Sequence, residues 1–243
     1  MEAWGLTDPG KVRSQNEDFY ELRQLDDESI LAVVCDGMGG AKAGNVASRL
    51  AVDVLTKEIV RSYDARLSGE EVEKMMLEAA ALSNTAVYEH AQLSEEYHGM
   101  GTTLVAVLIR NGMAHVVNVG DSRAYHLSKD GIRMITEDHS VVEMMVQRGD
   151  ITREEAKHHP VKNLITRAVG TEAVVLIDPF TQPVKSGDCI LLCSDGLSNM
   201  MADQEILFEV EHGEQRDDCC KRLLRIAEDR GAPDNVTVVL VAI

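Results

Sequence analysis

The stretch Ile30-Leu31-Ala32-Val33-Val34-Cys35-Asp36-Gly37-Met38-Gly39-Gly40 decides how the chain is read. It opens as an unbroken apolar run rich in β-branched residues, the pattern of a strand buried on both faces. It then meets one acid and three glycines within four positions. Past Gly44 the apolar period becomes helical. A carboxylate is therefore held at the end of a stiff strand, beside backbone that lacks Cβ atoms and can approach a ligand closely. A lone Asp-Gly at such a place is ordinarily a turn acid that caps the next helix. Similar acids stop other apolar runs, however: Val119-Gly120-Asp121, Cys193-Ser194-Asp195-Gly196 and Pro233-Asp234-Asn235.

Outward from this stretch, Phe19 to Leu25 and Ser29 to Cys35 read as two strands around Asp26-Asp27-Glu28. Upstream, Leu6 to Asp18 is polar and loop-like and gathers Arg13, Gln15, Asn16, Glu17 and Asp18. Downstream, the helix after Gly44 puts Ala47, Leu50, Ala51, Val54 and Leu55 on one face. A second helix opens at Ser68 with Glu71 as capping partner and an apolar face of Val72, Met75, Met76, Ala79, Leu82 and Ala86. Leu104 to Ile109 and Ala114 to Val119 flank the hairpin signal Asn111-Gly112. Ser122 to Leu127 and Ile132 to Ile135 form a further hairpin. Asp138 to Gly149 is expected as helix, as is a short piece opening at Thr152 with Glu155. Strands are expected at Val174 to Ile177, Cys189 to Cys193 and Val236 to Ile243, and helices at Ala202 to Val210 and Gln215 to Asp229. Strands come in hairpins and helices in adjacent pairs. That argues for a layered antiparallel α+β fold over a doubly wound parallel sheet. No repeat, low-complexity tract or composition shift marks a linker, so residues 1–243 read as one domain.

The 243 residues include 24 Lys plus Arg against 41 Asp plus Glu, a formal charge of −17. Such acidity argues against binding nucleic acid or an anionic membrane, both of which call for a basic face. No apolar run reaches the ~18 residues of a membrane span, and Met1-Glu2-Ala3-Trp4 does not open as a signal peptide. The cysteines (35, 189, 193, 219 and 220) are odd in number and show no Cys-x-x-Cys spacing. A cytoplasmic setting without disulfide chemistry is the simplest expectation.

The strand-end acids Asp36, Asp121, Asp195 and Asp234 are hard oxygen ligands suited to Mg²⁺ or Mn²⁺. No histidine adjoins any of them, which disfavours a zinc site built on imidazoles. One aspartate can bridge two ions ~3.5–4 Å apart, and such a pair activates a water for attack on phosphorus. Arg13 offers a fork of donors that suits phosphate oxygens.

Seven segments follow one another in order: Arg13-Ser14-Gln15-Asn16-Glu17-Asp18, Asp36-Gly37-Met38-Gly39-Gly40, Gly101-Thr102-Thr103, Val119-Gly120-Asp121-Ser122-Arg123, Asn163 to Gly170, Ser194-Asp195-Gly196 and Asp234-Asn235-Val236-Thr237. Each alone is weak; together they span nearly the whole chain. The chain resembles the bacterial branch of the metal-dependent serine/threonine protein phosphatases, the type 2C or PPM family. The resemblance implies a four-layer α/β/β/α sandwich, two antiparallel sheets with a helix pair on each outer face. It implies that Asp36 bridges two metals, Mn²⁺ or Mg²⁺, and that Gly37 contributes its carbonyl. Asp195 and Asp234 would complete the first metal's shell, and Asp121 with Asp195 would hold a third, weaker ion. Glu17 and Asp18 would bind or orient metal-bound waters, and Arg13 would bind the substrate phosphate. The reaction implied is direct hydrolysis of phosphoserine and phosphothreonine in proteins, with no phosphoenzyme, reversing kinase signalling. Phosphorylated proteins, a serine/threonine kinase among them, are the expected partners of a monomer. Cys35 and Cys193 read as packing residues.

Two features depart from a fixed family pattern. Many eukaryotic relatives carry histidine after the Asp-Gly pair as a proton donor, whereas Met38 has no proton to give. A metal-bound water, or a histidine from elsewhere such as His158 or His159, would then serve, although surface-loop histidine is the plainer reading of both. The segment from Val142 to Val161 corresponds to a variable flap. A non-catalytic phosphoprotein-binding module on this fold would show lost ligand acids, and all are present here.

Overall fold

The computed structural model describes residues 1–39, 43–213 and 216–243. Gly40, at the end of the stretch quoted above, and Gln215, the expected first residue of the last helix, lie outside them. The chain opens with strands β1 (Glu2–Asp8), β2 (Phe19–Asp26), β3 (Ser29–Cys35) and the two-residue β4 (Gly37–Met38). Helices α1 (Ala43–Ser62) and α2 (Gly69–Ala91) follow. Then come the short β5 (Gly101–Thr102), β6 (Leu104–Arg110), β7 (Met113–Val119), β8 (Arg123–Ser128) and β9 (Gly131–Met134). Helices α3 (Val141–Arg148) and α4 (Arg153–Lys157) precede β10 (Asp178–Pro183) and β11 (Cys189–Cys193). The chain closes with α5 (Asp195–Ser198), α6 (Asp203–His212), α7 (Cys219–Asp229) and β12 (Val236–Ala242).

Two five-stranded sheets result, ordered β10-β7-β6-β3-β2 and β1-β12-β11-β8-β9. Every pairing within them is antiparallel. Strand β3 explains why they stack. Its alternate residues Ile30, Ala32 and Val34 meet Ile190, Leu192, Val239 and Val241 of the other sheet. The intervening Leu31, Val33 and Cys35 pack beneath α1 and α2, against Ala47, Val52 and Met76 among others. Both faces of β3 are therefore apolar because both are covered. On the far side, α6 and α7 cover the second sheet through Ile206, Val210, Leu223 and Ala227. The four-layer α/β/β/α sandwich is thus present. Among the described residues no helix is long and apolar enough to cross a membrane.

Local signals were realised where chemistry is short-range. Ser68 and Glu71 form the capping box that starts α2, and Thr152 with Glu155 does the same for α4. Asn111 (φ 49°) and Gly112 (φ 70°) make the tight turn between β6 and β7, as a two-residue hairpin of this hand requires.

Four expectations need correction. Val174 to Ile177 is not a strand; β7 pairs instead with Asp178–Pro183. That segment carries two prolines, which an edge strand tolerates because one row of its N–H groups has no ladder to join. Leu6 to Asp8, expected as the start of a loop, instead ends the strand Glu2–Asp8, which borrows the ladder of β12. The expected helix from Asp138 starts only at Val141, where the Ser140 side chain accepts from Glu143 N–H. Leu82 is 46% exposed. The neighbouring polar pair Ser83 and Asn84 is buried in its place.

Asn84 is buried for a reason. Its carboxamide accepts from Gly170 N–H (2.8 Å) and donates to the carbonyls of Glu172 (3.0 Å) and Ala173 (3.2 Å). One side chain on α2 thus fixes the loop that follows Gly170. Asn84→Ala leaves a buried N–H without a partner and is expected to cost about 2 kcal/mol in urea unfolding. A cost below about 0.5 kcal/mol would show that water replaces the amide.

Candidate metal centre

The acids found at strand ends all arrive at one end of the sandwich. Asp36 follows β3 and Asp121 follows β7, in one sheet. Asp195 follows β11 and Asp234 precedes β12, in the other. An open cleft of about 460 Å³ is lined by all four, with Arg13, Glu17, Gly37, Met38, Thr103, Asn163 and Ile165. Of the acids expected from the sequence, Asp18 alone does not line it. Asp18 lies just beneath, 2% exposed.

Backbone locks set the geometry. Asp36 N–H donates to Thr103 Oγ1 (2.9 Å), while its carbonyl accepts from Thr103 N–H (2.9 Å) and the Thr102 hydroxyl (2.9 Å). The Gly101-Thr102-Thr103 motif therefore holds the acid rather than reacting. Gly37 donates to the Glu17 carbonyl at 3.2 Å. A Cβ there would sit 2.2 Å from the Gly44 carbonyl oxygen. Three chain segments converge on that one residue, and only glycine fits. Asn235 accepts from Glu17 N–H (2.8 Å) and donates to the carbonyls of Pro9 (3.0 Å) and Gln15 (2.9 Å). It ties the Arg13 loop to β12. Ser194 and Thr237 hydroxyls donate to Asp18 Oδ2 at 2.7 and 2.6 Å.

The sequence did not flag Ser194, Thr237 or Asn235 as supports, because short polar side chains are common everywhere and their partners are remote in the chain. It also missed His139. This buried imidazole accepts from Gly120 N–H at Nδ1 (3.0 Å), and its Nε2 meets Asp178 (3.0 Å). Arg167 donates to the same carboxylate at 2.9 Å. Together they anchor the turn that carries Asp121. Burial of His139 holds its pKa below the usual imidazole value.

Neither His158 nor His159 lines the cleft. Nor does any residue of the expected flap, 142–161; its continuation contributes Asn163 and Ile165. Met38 does line it. Cys35 and Cys193 are fully buried. Burial pushes the Cys35 thiol up strongly and that of Cys193 up to about 12, so neither is a thiolate nucleophile at neutral pH.

Asp18, Asp36, Asp121 and Asp195 hold their protons more tightly than ordinary carboxyls. Burial is the largest cause for each of them. Repulsion from neighbouring acids adds to it for Asp18, pushed up to about 7, Asp195, to about 6, and Asp121, to about 8. Asp36 is raised well above the carboxylate range by burial and then by Asp18, Asp195, Asp121 and Asp234. A divalent cation reverses this balance by favouring the charged forms. Two further observations fit a cation. Glu17 Oε1 and Asp18 Oδ1 are buried and have no hydrogen-bond partner among the described residues. The donor set is all oxygen, as Mg²⁺ and Mn²⁺ prefer. Among the described residues no three acids are drawn together tightly enough to enclose one ion as they stand. Asp234 is turned onto Arg13 (2.8 Å) and Asp195 accepts from Asn199 (3.0 Å). Binding would redirect both.

These shifts predict a pH effect. Each raised carboxyl keeps its proton to a higher pH in the fold than in the unfolded chain, where it titrates near 4. The stability this contributes is present below about pH 4 and is lost as pH rises through about 6 to 8. Chelated protein is therefore expected to melt lower at pH 8 than at pH 6. Mn²⁺ should raise Tm more at pH 8 than at pH 6. Melting curves at both pH values, with and without chelator, test this; an equal Mn²⁺ effect at both would contradict it.

Residues 11–240 match the family model for protein phosphatase 2C. The chain is 37% identical over 241 residues to the serine/threonine phosphatase stp of Listeria innocua serovar 6a, covering 99% of this chain and 95% of that protein. It superposes on the crystal structure of the serine/threonine phosphatase Stp1 from Staphylococcus aureus with a TM-score of 0.93 at 38% identity, covering 100% of this chain and 94% of that one. The catalytic domain of the serine threonine protein phosphatase PstP, solved in complex with two manganese ions, superposes with a TM-score of 0.82 at 33% identity, covering 98% and 96%.

Proposed function

The chain belongs to the protein phosphatase 2C family and is a protein serine/threonine phosphatase, and we propose that it works through the acids at the shared end of its two sheets. The observation that carries this reading is the convergence of two strand-end acids from each sheet, with Arg13, on one cleft. Asp36 would bridge two divalent ions, with the Gly37 carbonyl as a further ligand. Asp195 and Asp234 would complete one shell, and Asp121 with Asp195 would hold a weaker third ion. Glu17 and Asp18 would hold the waters of this cluster. Mn²⁺ or Mg²⁺ bound there supplies Lewis acidity and a water acidic enough to attack phosphorus near neutral pH.

The chain's own groups do the rest. Thr102 and Thr103 keep Asp36 from turning. Asn235 keeps the Arg13 loop beside Asp234. Arg13 is half exposed, with 53% of its side chain open to solvent. It can leave Asp234 and offer its fork to the equatorial phosphate oxygens, where charge is spread during in-line displacement. Met38 donates no proton, so the leaving alkoxide takes one from water in the open cleft. Phosphoproteins, a serine/threonine kinase among them, are the substrates in this reading. The chain acts in it as one cytoplasmic domain and as a monomer.

Hydrolysis of p-nitrophenyl phosphate and of a phosphothreonine peptide, with Mn²⁺, Mg²⁺ or chelator, tests the reading. Turnover that survives full chelation would defeat it. Arg13→Ala is expected to lower kcat/KM for the phosphopeptide about 30-fold, the worth of a charge-assisted pair. Arg13→Lys should recover only part, because an ammonium lacks the fork.

A further inference from the structure

Beside the catalytic cleft lies a second groove, about 560 Å³. Met38 and Ile165 line both, so the two are continuous. Past these residues the far wall is the segment Val174-Val175-Leu176. It reads as a strand in sequence but joins neither sheet. Its alternation is nonetheless used. Val175 and Ile177 pack against the core beneath α1 and α2. Val174 and Leu176 face outward, 82% and 64% exposed. A short run thus keeps one face anchored and presents two large apolar side chains. With Met38, Ile165, Ala168 and Val175 they line one apolar face that adjoins the cleft, the kind of contiguous patch that suits a partner.

The shelf is also rigidly held. Asn84 fixes the Gly170 N–H and the Glu172 and Ala173 carbonyls just before it. Arg167, which lines the groove, is already paired with Asp178. Among the described residues that leaves Glu172 as the groove's free charge, on a chain already carrying −17.

We propose that this groove is the specificity site of the phosphatase: it receives the segment of the substrate protein next to the phosphorylated residue and selects an apolar side chain there. The inference rests on the catalytic reading of the adjoining cleft. A phosphoserine or phosphothreonine seated on that cleft belongs to a chain that must continue over the surface. The Met38–Ile165 boundary leads that chain onto Val174 and Leu176. Burying a leucine there removes apolar surface on both partners from water. An acidic side chain would meet Glu172 and the protein's general negative field.

The test uses the full chain with Mn²⁺ and a set of phosphothreonine peptides in a Gly/Ser background. Leucine, then aspartate, is moved through the positions on either side of the phosphothreonine. Leucine at one or two positions on one side is expected to raise kcat/KM about tenfold, and aspartate there to lower it. The double variant Val174→Ser/Leu176→Ser should erase the leucine preference. It should leave turnover of p-nitrophenyl phosphate, which has no flanking chain, within about twofold. Both residues are exposed, so the variant keeps its packing, and its melting temperature is checked against the parent. A flat leucine scan, or a preference that survives in the double variant, overturns the groove while leaving the phosphatase reading intact. Loss of p-nitrophenyl phosphate turnover in the double variant also overturns it, because the segment would then be part of the catalytic frame. Failure of the parent protein to hydrolyse p-nitrophenyl phosphate with Mn²⁺ overturns the catalytic reading first and the groove with it.

Discussion

Asp36→Asn is expected to fold normally and to hydrolyse a phosphothreonine peptide at least about a thousandfold more slowly than the parent. The main-chain hydrogen bonds that fix position 36 run through its N–H and carbonyl, and asparagine keeps them. What is lost is one negative charge at the centre of the acid cluster. In the proposed reading that charge bridges both ions, and several kcal/mol of transition-state stabilisation depend on them. Stability should move the other way. Burial, and then repulsion from Asp18, Asp195, Asp121 and Asp234, disfavours a carboxylate at position 36, so the neutral amide should raise the melting temperature of chelated protein near pH 8. The stabilisation by added Mn²⁺ should shrink at the same time. Activity lost while metal-free stability rises is a signature that simple misfolding cannot produce. More than a tenth of the parent rate in this variant would remove Asp36 from the chemistry.

Gly196→Ala should be one of the most damaging single methyl groups near the site. A Cβ at 196 would lie 1.9 Å from the Asn235 carbonyl oxygen and 2.9 Å from its carbon. Both are backbone atoms, and no rotamer change relieves the contact. Either α5 or the start of β12 must move, and Asp195 or Asp234 moves with it. Asn235 also holds Pro9, Gln15 and Glu17, so the displacement reaches the Arg13 loop. A loss of about 3 kcal/mol in denaturant unfolding is expected, in the range of overpacked cores. Catalysis should fall about a hundredfold, because an ångström of misplacement is enough for that. Gly69→Ala is the matched control. Its Cβ would meet only His115, at 3.5 Å, and it opens a helix that alanine favours. Equal stability of the two variants would refute the packing described here.

Much of this was legible in the sequence because the decisive signals are local. The apolar run into Asp36, the hairpin at Asn111-Gly112 and the capping box at Ser68 each depend on neighbours within a few residues. Their strength does not require knowing the fold. The strand-end acids could be picked out because three apolar runs stop at an acid and a fourth begins just after one. What was misread depends on partners far away. β1 is a strand because β12 offers it a ladder, and nothing within residues 2–8 announces that. Val174 to Ile177 has the composition of a strand, but the edge of β7 was taken by Asp178–Pro183. Asn84 and His139 look like ordinary polar residues until the loops they hold are seen, 86 and 19 positions away.

The Asn84 anchor also separates two jobs along the chain. The acids and Arg13 sit on strand ends and on the loop tied by Asn235. The groove wall after Gly170 carries none of them and is held from helix α2 instead. If the groove selects substrate as proposed, substitution at Val174, Glu172 or Leu176 retunes which phosphoproteins are accepted without disturbing the hydrolytic machinery. One catalytic frame would then serve different phosphoproteins, with the address written on a segment that costs little stability to rewrite.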